Sequence, residues 1–320
     1  MPFNSDGYAA TLLTIALSPN REEYARPLGN QEYYQLEERV RESNAYRTIG
    51  DLFSEDISGL MLRLDISEEE AYRIYTLLNR GVHFSYAIEN LAANQTEIVS
   101  KFDSAYPRRL TSRMRGAAPV FFYRTGNAEL IGKPALAILG ISGVKTTSEA
   151  REGVESLVRE ATKLGCAVLT GGELGVSRVA ANTVLECGGT LIDVLGGGLY
   201  EHMQNEVITR LLKENRCALI SLEHPEAMFT ISHAIARNKV IFALADAAVI
   251  LNTDNKRGEI DAIQNHYCDW IYAWTGASSN NQLISRGATP VANLREMNLS
   301  ELSRHWKASE SEQLSMFDNL

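Results

Sequence analysis

Arg237-Asn238-Lys239 sets two cations and an amide within one helical turn, among apolar neighbours. Such residues hold phosphates without reading bases. The alternative is a helix surface carrying ordinary charges. Three glycine-bearing turns precede this run. The first, Gly140-Ile-Ser-Gly143, follows an apolar stretch of strand length and leads to Thr146-Thr-Ser148, which opens a helix. Turn amides and the positive end of the helix converge on one spot, so Ser142, Gly143 and Lys145 are expected to cradle a phosphate. A plain turn with a solvated lysine is the other reading. The second is Thr170-Gly-Gly-Glu-Leu-Gly175 and the third Gly196-Gly-Gly198. Gly171 and Gly172 permit close backbone approach to a ligand, or simply close packing of helix on sheet, and Glu173 puts a negative charge beside them. Lys256 and Arg257 follow a further strand and are expected on the same sheet edge, with His233 nearby or packed in its helix. No pairing of general acid and base stands out. Glu173 and Glu259 are the carboxylates to test if the chain is a hydrolase.

These residues need a scaffold, and the hydropathy pattern supplies one. From Ala135 onward strands and helices alternate regularly, which predicts a Rossmann-like α/β domain over residues 135–294. Its sheet is expected to be mostly parallel, with helices on both faces. Strands are expected at 135–139, 166–170, 190–195, 218–222, 247–251 and 270–274. Helices are expected at 148–164, 176–185, 202–214, 232–244, 257–267 and 282–286. In a parallel sheet the glycine turns gather along the carboxyl edge. Residues 1–100 read as a small all-α domain of sterile-alpha-motif or helix-hairpin-helix type. Its helices are expected from Ser5 or Asp6 to Leu17, at 30–42, 47–53 and 57–64, and from a capping box at Ser67 to Asn79, with Gly81 as the stop. Residues 101–134 form a basic connection with a short strand near 119–123 and a turn at 124–127. Residues 295–320 form a polar, mobile tail.

The chain has 320 residues, 45% hydrophobic and 22% charged, with a formal net charge of −9. That balance suits a soluble globular protein and argues against a generic polyanion binder. The charge is uneven, however. Lys101, Arg108, Arg109, Arg113, Arg115 and Arg124 face the single acid Asp103 in that segment. Such a stripe can hold phosphates, or can pair with the acidic N-terminal region. Cys166, Cys187, Cys217 and Cys268 are widely spaced, which points to reduced thiols in a cytoplasmic protein and not to a zinc site. No apolar run reaches membrane-spanning length, and residues 8–17 read as a helix and not as a signal peptide.

With the pieces in order, the chain resembles the DprA/Smf family of DNA-processing proteins. The resemblance is carried by Tyr106-Pro-Arg-Arg-Leu110, Pro119-Val-Phe-Phe-Tyr-Arg-Thr-Gly-Asn127, Gly140-Ile-Ser142 and Thr170-Gly-Gly-Glu-Leu-Gly175. It continues through Gly188-Gly-Thr190, Val194-Leu-Gly-Gly-Gly198, Ala236-Arg-Asn-Lys-Val-Ile-Phe-Ala243, Asn281-Gln-Leu-Ile284 and Gly287-Ala288. It implies a non-enzymatic homodimer that binds single-stranded DNA in a basic pocket, without a cofactor, and helps load a RecA-type recombinase in recombination or natural transformation. Ser142, Gly143, Lys145, Gly171, Gly172, Arg237, Asn238, Lys239, Lys256 and Arg257 are then the expected DNA contacts. The chain departs from the family pattern at Gly140-Ile-Ser142, where Gly-Ser-Arg is usual, and at Glu173 and Ser177. The winged helix often found at the family's C-terminus is not expected here. The altered loops leave open a nucleotide sensor or phosphoribohydrolase. Gln313-Leu-Ser-Met-Phe317 resembles the pentapeptide that docks on the DNA sliding clamp: Leu314, Met316 and Phe317 suit an apolar groove, and Gln313 a register-fixing hydrogen bond.

Overall fold

The structure is a computed structural model that describes residues 4–18, 25–141, 146–253 and 257–300. Backbone contacts divide the chain into two units. The first comprises Met1–Thr125 with Gly197–Leu199 and Ser221–Met228; the second comprises Gly126–Gly196, Tyr200–Ile220 and Phe229–Leu320.

The first unit opens with five helices: α1 (Ser5–Thr14), α2 (Asn30–Glu42), α3 (Ile57–Leu64), α4 (Glu68–Leu78) and α5 (Gly81–Ala93). A core including Leu13, Tyr33, Leu36, Leu60, Ile74 and Leu77 holds them together. Asn4, not Ser5 or Asp6, caps α1: its Oδ1 accepts from Gly7 N at 2.7 Å, and the helix ends at Thr14, short of Leu17. Ser67 caps α4 as expected, accepting from Glu70 N at 3.2 Å. Gly81 does not stop that helix. It opens α5, where a Cβ would lie 2.8 Å from the Tyr8 hydroxyl. The preceding Arg80 turns back to donate to Leu12 O and Ile15 O, capping the free carbonyls at the end of α1.

The first hundred residues are not wholly helical. Thr96–Ser100 forms β1, rich in β-branched residues, and pairs antiparallel with β2 (Phe121–Gly126), so residues 124–126 extend a strand and do not turn. Between them lies the short helix α6 (Arg108–Met114).

The second unit carries the expected Rossmann-like sheet. Its strands are β3 (Ala135–Leu139), β4 (Ala167–Thr170), β5 (Leu191–Leu195), β6 (Cys217–Ser221), β7 (Ala247–Ile250), β8 (Trp270–Trp274) and β9 (Thr289–Val291). They run in the order β6-β5-β4-β3-β7-β8-β9. The pairs β3–β4, β4–β5, β3–β7, β7–β8 and β8–β9 are all parallel. Strands β3 to β7 are buried along their full length, as a sheet covered on both faces requires.

The helices between these strands are α7 (Ser148–Lys163), α8 (Val176–Cys187), α9 (Leu199–Met203), α10 (Glu206–Lys213), α11 (Ile231–Leu244), α12 (Arg257–Gln264) and α13 (Asn281–Ser285). The helix expected at 202–214 is thus two helices, because Asn205 restarts the second, accepting from Val207 N at 3.1 Å. The edge strand β9, three residues and one of them proline, is too short and mixed to leave a hydropathy signal. The crossovers carry the chain outward through β4, β5 and β6, then back across β3 to β7. Helices α7 and α8 pack together beside β3 and β4, while α11 packs on β5, β3 and α12. The order reverses between β3 and β7, and ligands of such sheets bind outside the strand ends at that reversal. Among the described residues no helix is long and apolar enough to cross a membrane.

Candidate functional site at the carboxyl edge

Polar side chains on or just after β4, β5, β7 and β8 stand at the carboxyl edge. β4 ends in Thr170, whose hydroxyl donates to Asp193 Oδ1 on β5 at 2.5 Å and accepts from Gly172 N at 3.0 Å. Asp193 is 1% exposed, and its other oxygen lies 2.9 Å from His202 Nε2 on α9. Gly172 is required here: its φ is +71°, and a Cβ would run into Leu195 and stand 3.0 Å from His202. At the reversal point, Ile141 N donates to Asn252 Oδ1 at 2.8 Å, tying the end of β3 to the end of β7. Asn280 is fully buried and donates to Ile250 O, Leu251 O and Trp274 O, all near 3.0 Å, which locks the ends of β7 and β8.

Arg237 lies inside this edge, not on it. It is 4% exposed; its guanidinium donates to Val194 O at 3.1 Å and to Ala234 O at 3.3 Å, and it forms an ion pair with Glu173. Gly171 makes room for it, since a Cβ at 171 would overlap Arg237 Nη1. Burial pulls the Arg237 pKa down, while Glu173, Asp193 and Glu259 oppose that and hold the charge in place. Of the three residues expected to contact DNA in this run, Arg237 is thus buried and Asn238 and Lys239 are half-buried. Asn238 Nδ2 donates to Glu259 Oε1 at 3.2 Å, which also accepts from Thr253 Oγ1 at 3.3 Å. Lys239, partly exposed, pairs with Asp261. Arg237 lies on the same side of α11 as Val240 and Ile241, which are buried, so its guanidinium needs internal partners, whereas Ala236 is exposed.

The outer rim carries different residues. Arg178 in the first turn of α8 and Arg257 at the start of α12 are exposed. So are Leu174 (58%), Phe229 (52%) and Ile231 (67%). The Phe229 ring covers Gly196, where a Cβ would lie 2.9 Å from Cε2. His233 heads α11, its amide donating to Thr230 Oγ1 at 3.2 Å. The structure thus gathers Gly171, Gly172, Arg237, Asn238, Lys239 and Arg257 around one strand edge. Ser142, Gly143, Lys145 and Lys256, and the tail residues Gln313, Leu314, Met316 and Phe317, lie outside the described residues.

Sequence reasoning missed Asp193, His202 and Asn280. A lone aspartate in an otherwise apolar strand is the one signal that pointed to the first, because a buried carboxylate demands a partner. His202 and Asn280 carry no sequence signal of their own. Among the described residues no group of three His, Cys, Asp or Glu side chains is placed to hold a metal ion.

Solved structures share this fold, although no curated protein matches the sequence. The structure is similar to DNA processing protein A (DprA) from Streptococcus pneumoniae, with TM-score 0.53 and 20% identity, covering 84% of this chain and 96% of that one. It is similar to DNA processing protein A from Helicobacter pylori, with TM-score 0.52 and 21% identity, covering 67% and 97% respectively. A family model for DNA recombination-mediator protein A matches residues 97–301, spanning β1, α6, β2 and the whole Rossmann-like sheet. The chain therefore belongs to the DNA recombination-mediator protein A family of DNA-processing proteins.

Proposed function

We propose that the chain binds single-stranded DNA through the carboxyl edge of its Rossmann-like sheet, as an accessory factor in recombination or natural transformation. The family match over residues 97–301 is the observation that carries this reading. The similar Helicobacter pylori protein has a single-stranded DNA binding mode of its own. In this chain the strand's contacts fall on the outer rim: Phe229 stacks a base, Arg178 and Arg257 take phosphates, and Gly171 and Gly172 let the backbone come close. Lys239 joins them on leaving Asp261, and Arg237 acts from behind by fixing Glu173 and the end of β5. The expected Ser142, Gly143, Lys145 and Lys256 contacts belong to the same proposal, as do a homodimer, delivery to a RecA-type recombinase and clamp docking by Gln313-Leu-Ser-Met-Phe317.

Fluorescence anisotropy with a labelled oligothymidylate tests this reading. Affinity falls with salt, and Phe229→Ala weakens it about tenfold, since stacking one base on an aromatic ring is worth about 1–3 kcal/mol. An absence of binding at low salt refutes the proposal. The buried Asp193–His202 pair beside Glu173 and Glu259 favours one second reading, a small nucleotide held by its ribose at this edge. A rise in melting temperature with mononucleotides, absent with oligonucleotides, would select it.

A further inference from the structure

Large apolar side chains reach solvent on the helices of the first unit. Val82 and Tyr86, each 69% exposed, stand one turn apart on α5, while the opposite side of that helix buries Phe84 and Leu91. Phe53, 40% exposed, ends the short helical turn Ile49–Ser54 and joins them through Tyr8. The Tyr8 and Phe53 rings stack with centroids 5.6 Å apart. The Tyr8 hydroxyl lies 2.8 Å from the place of a Cβ at Gly81, the residue before Val82. The support is rigid, because Arg80 donates to Leu12 O and Ile15 O and so fixes where α5 begins.

The helix itself gains nothing from these residues. At a solvent-facing position Val and Tyr are poorer helix formers than Ala, Glu or Lys. Single exposed apolar groups are ordinary, whereas neighbouring ones on one support mark a contact surface. The charge around the patch selects what covers it. Glu89 is exposed on the same face of α5, one turn past Tyr86, and the exposed Asp56 caps α3 just after Phe53. Neither forms an ion pair among the described residues. The arginines of these helices are occupied: Arg39, Arg41, Arg63 and Arg73 pair with Glu70, Glu38, Glu55 and Glu32. Lys101 is held in the same way by Glu37. An acidic border of this kind repels a nucleic acid or an anionic bilayer, and a second copy placed patch to patch sets acid against acid. The chain's own tail is no better suited, with Glu301, Glu310, Glu312 and Asp318 against Arg304 and Lys307.

We propose that the patch formed by Tyr8, Phe53, Val82 and Tyr86 docks a cationic amphipathic helix of a partner protein. The partner's apolar stripe lies on the rings and on Val82, and its Lys or Arg residues stand beside Asp56 and Glu89. Apolar burial supplies the affinity, while the acids steer the approach and fix orientation. The inference goes beyond the reading that the chain binds DNA and does not depend on it.

The test titrates the full-length chain with a labelled synthetic helix of about 18 residues, Leu along one face and Lys on the other, read by anisotropy. The expected result is saturable binding that weakens as salt rises. Val82→Ser and Tyr86→Ser each lower the affinity about tenfold. Glu89→Gln reduces the salt dependence. All three variants melt with the parent, since the replaced side chains face solvent. Equal binding of a Leu/Glu helix overturns the inference, as does equal binding of a peptide of the same composition with its leucines scattered around the helix. Unchanged affinity in both serine variants overturns it too. A photo-crosslinking amino acid in place of Tyr86, in the full-length chain in the cells it comes from, identifies the occupant. An adduct to a Lys/Arg-rich helical segment of another protein supports the proposal. A crosslink to a second copy of this chain, to nucleic acid or to lipid overturns it, and so does the absence of any crosslink. Oligonucleotide affinity is the same in the parent and the serine variants; a parallel loss of it assigns the patch to DNA and overturns the inference.

Discussion

Glu173→Gln separates a structural Arg237 from a DNA-contacting one. In the folded chain the guanidinium is 4% exposed and has one adjacent carboxylate, while the Glu173 side chain is 18% exposed. Removing the partner of a buried charge costs about 3–5 kcal/mol. Glutamine keeps an acceptor, and Asp193 and Glu259 still favour the cation, so about 2–3 kcal/mol is expected. For a unit of this size that lowers the melting temperature by about 5–10 °C. Arg237→Met is milder, because the orphaned Glu173 can swing toward water and the guanidinium cannot. The pair Glu173→Gln/Arg237→Met is more stable than its two single changes sum to, a coupling of about 2 kcal/mol in a double-mutant cycle. Scanning calorimetry reads the stabilities, and oligonucleotide anisotropy on the same four proteins reads the function. The double variant is expected to keep its affinity within about threefold, less than one phosphate contact supplies. Two results refute the reasoning: a Glu173→Gln protein that melts with the parent, or a stable double variant that no longer binds DNA.

Two further perturbations test the local geometry. Gly171→Ala drives a methyl group into the Arg237 guanidinium and should cost about 2 kcal/mol or more, measured by urea unfolding, because hydrogen bonds to Val194 O, Ala234 O and Glu173 hold the obstructing atoms. In the first unit, Glu32 bonds Arg73 at 2.8 Å and Gly29 N at 2.7 Å. The Arg73 bond leads in lowering its pKa to about 2, with the Gly29 amide and the charge of Arg26 assisting. A depressed carboxylate stabilises the fold above its unfolded pKa and loses that contribution as pH falls through the folded one. Glu32→Gln is therefore destabilised by about 1–2 kcal/mol at pH 7, after discounting for solvent screening of a one-third exposed group. Melting curves of the two proteins converge between about pH 5 and pH 2.

The scaffold is readable because its signal is periodic. β3 and β8 fall on the residues that hydropathy marks, and α2 and α3 begin and end where caps and breakers stand. Gly81 misleads because a glycine after a helix has two uses, and the Tyr8 ring that selects the second is 73 positions away in sequence. Distance in sequence also hides the centre of the site. Glu173 and Arg237 lie on elements that meet only after two crossovers, so the acid looks like a defect in a phosphate loop and the base like an open contact. One local sign is present. Arg237 stands three and four residues before the apolar pair Val240 and Ile241, on the side of α11 that is buried.

The departure from the family pattern at Glu173 and the burial of Arg237 explain each other. Glu173 beside a phosphate turn is unfavourable only if its charge stands alone, and Arg237 in a buried helix is unfavourable only if it lacks an acid. Paired, each removes the other's penalty. The consequence for binding is quantitative. A phosphodiester entering beside Glu173, Asp193 and Glu259 meets carboxylates already balanced by internal partners, so the edge itself supplies little attraction. One unit charge about 4 Å away is worth about 1 kcal/mol in water and about 4 kcal/mol near a protein surface. A few exposed cations thus decide whether a strand is held. Arg178 and Arg257 on the rim are such residues. A protein that grips DNA in this way depends on arginine count at its surface more than on the shape of its glycine turns. Its affinity then follows salt steeply, while Gly172, fixed by Leu195 and His202, sets how closely a strand can approach.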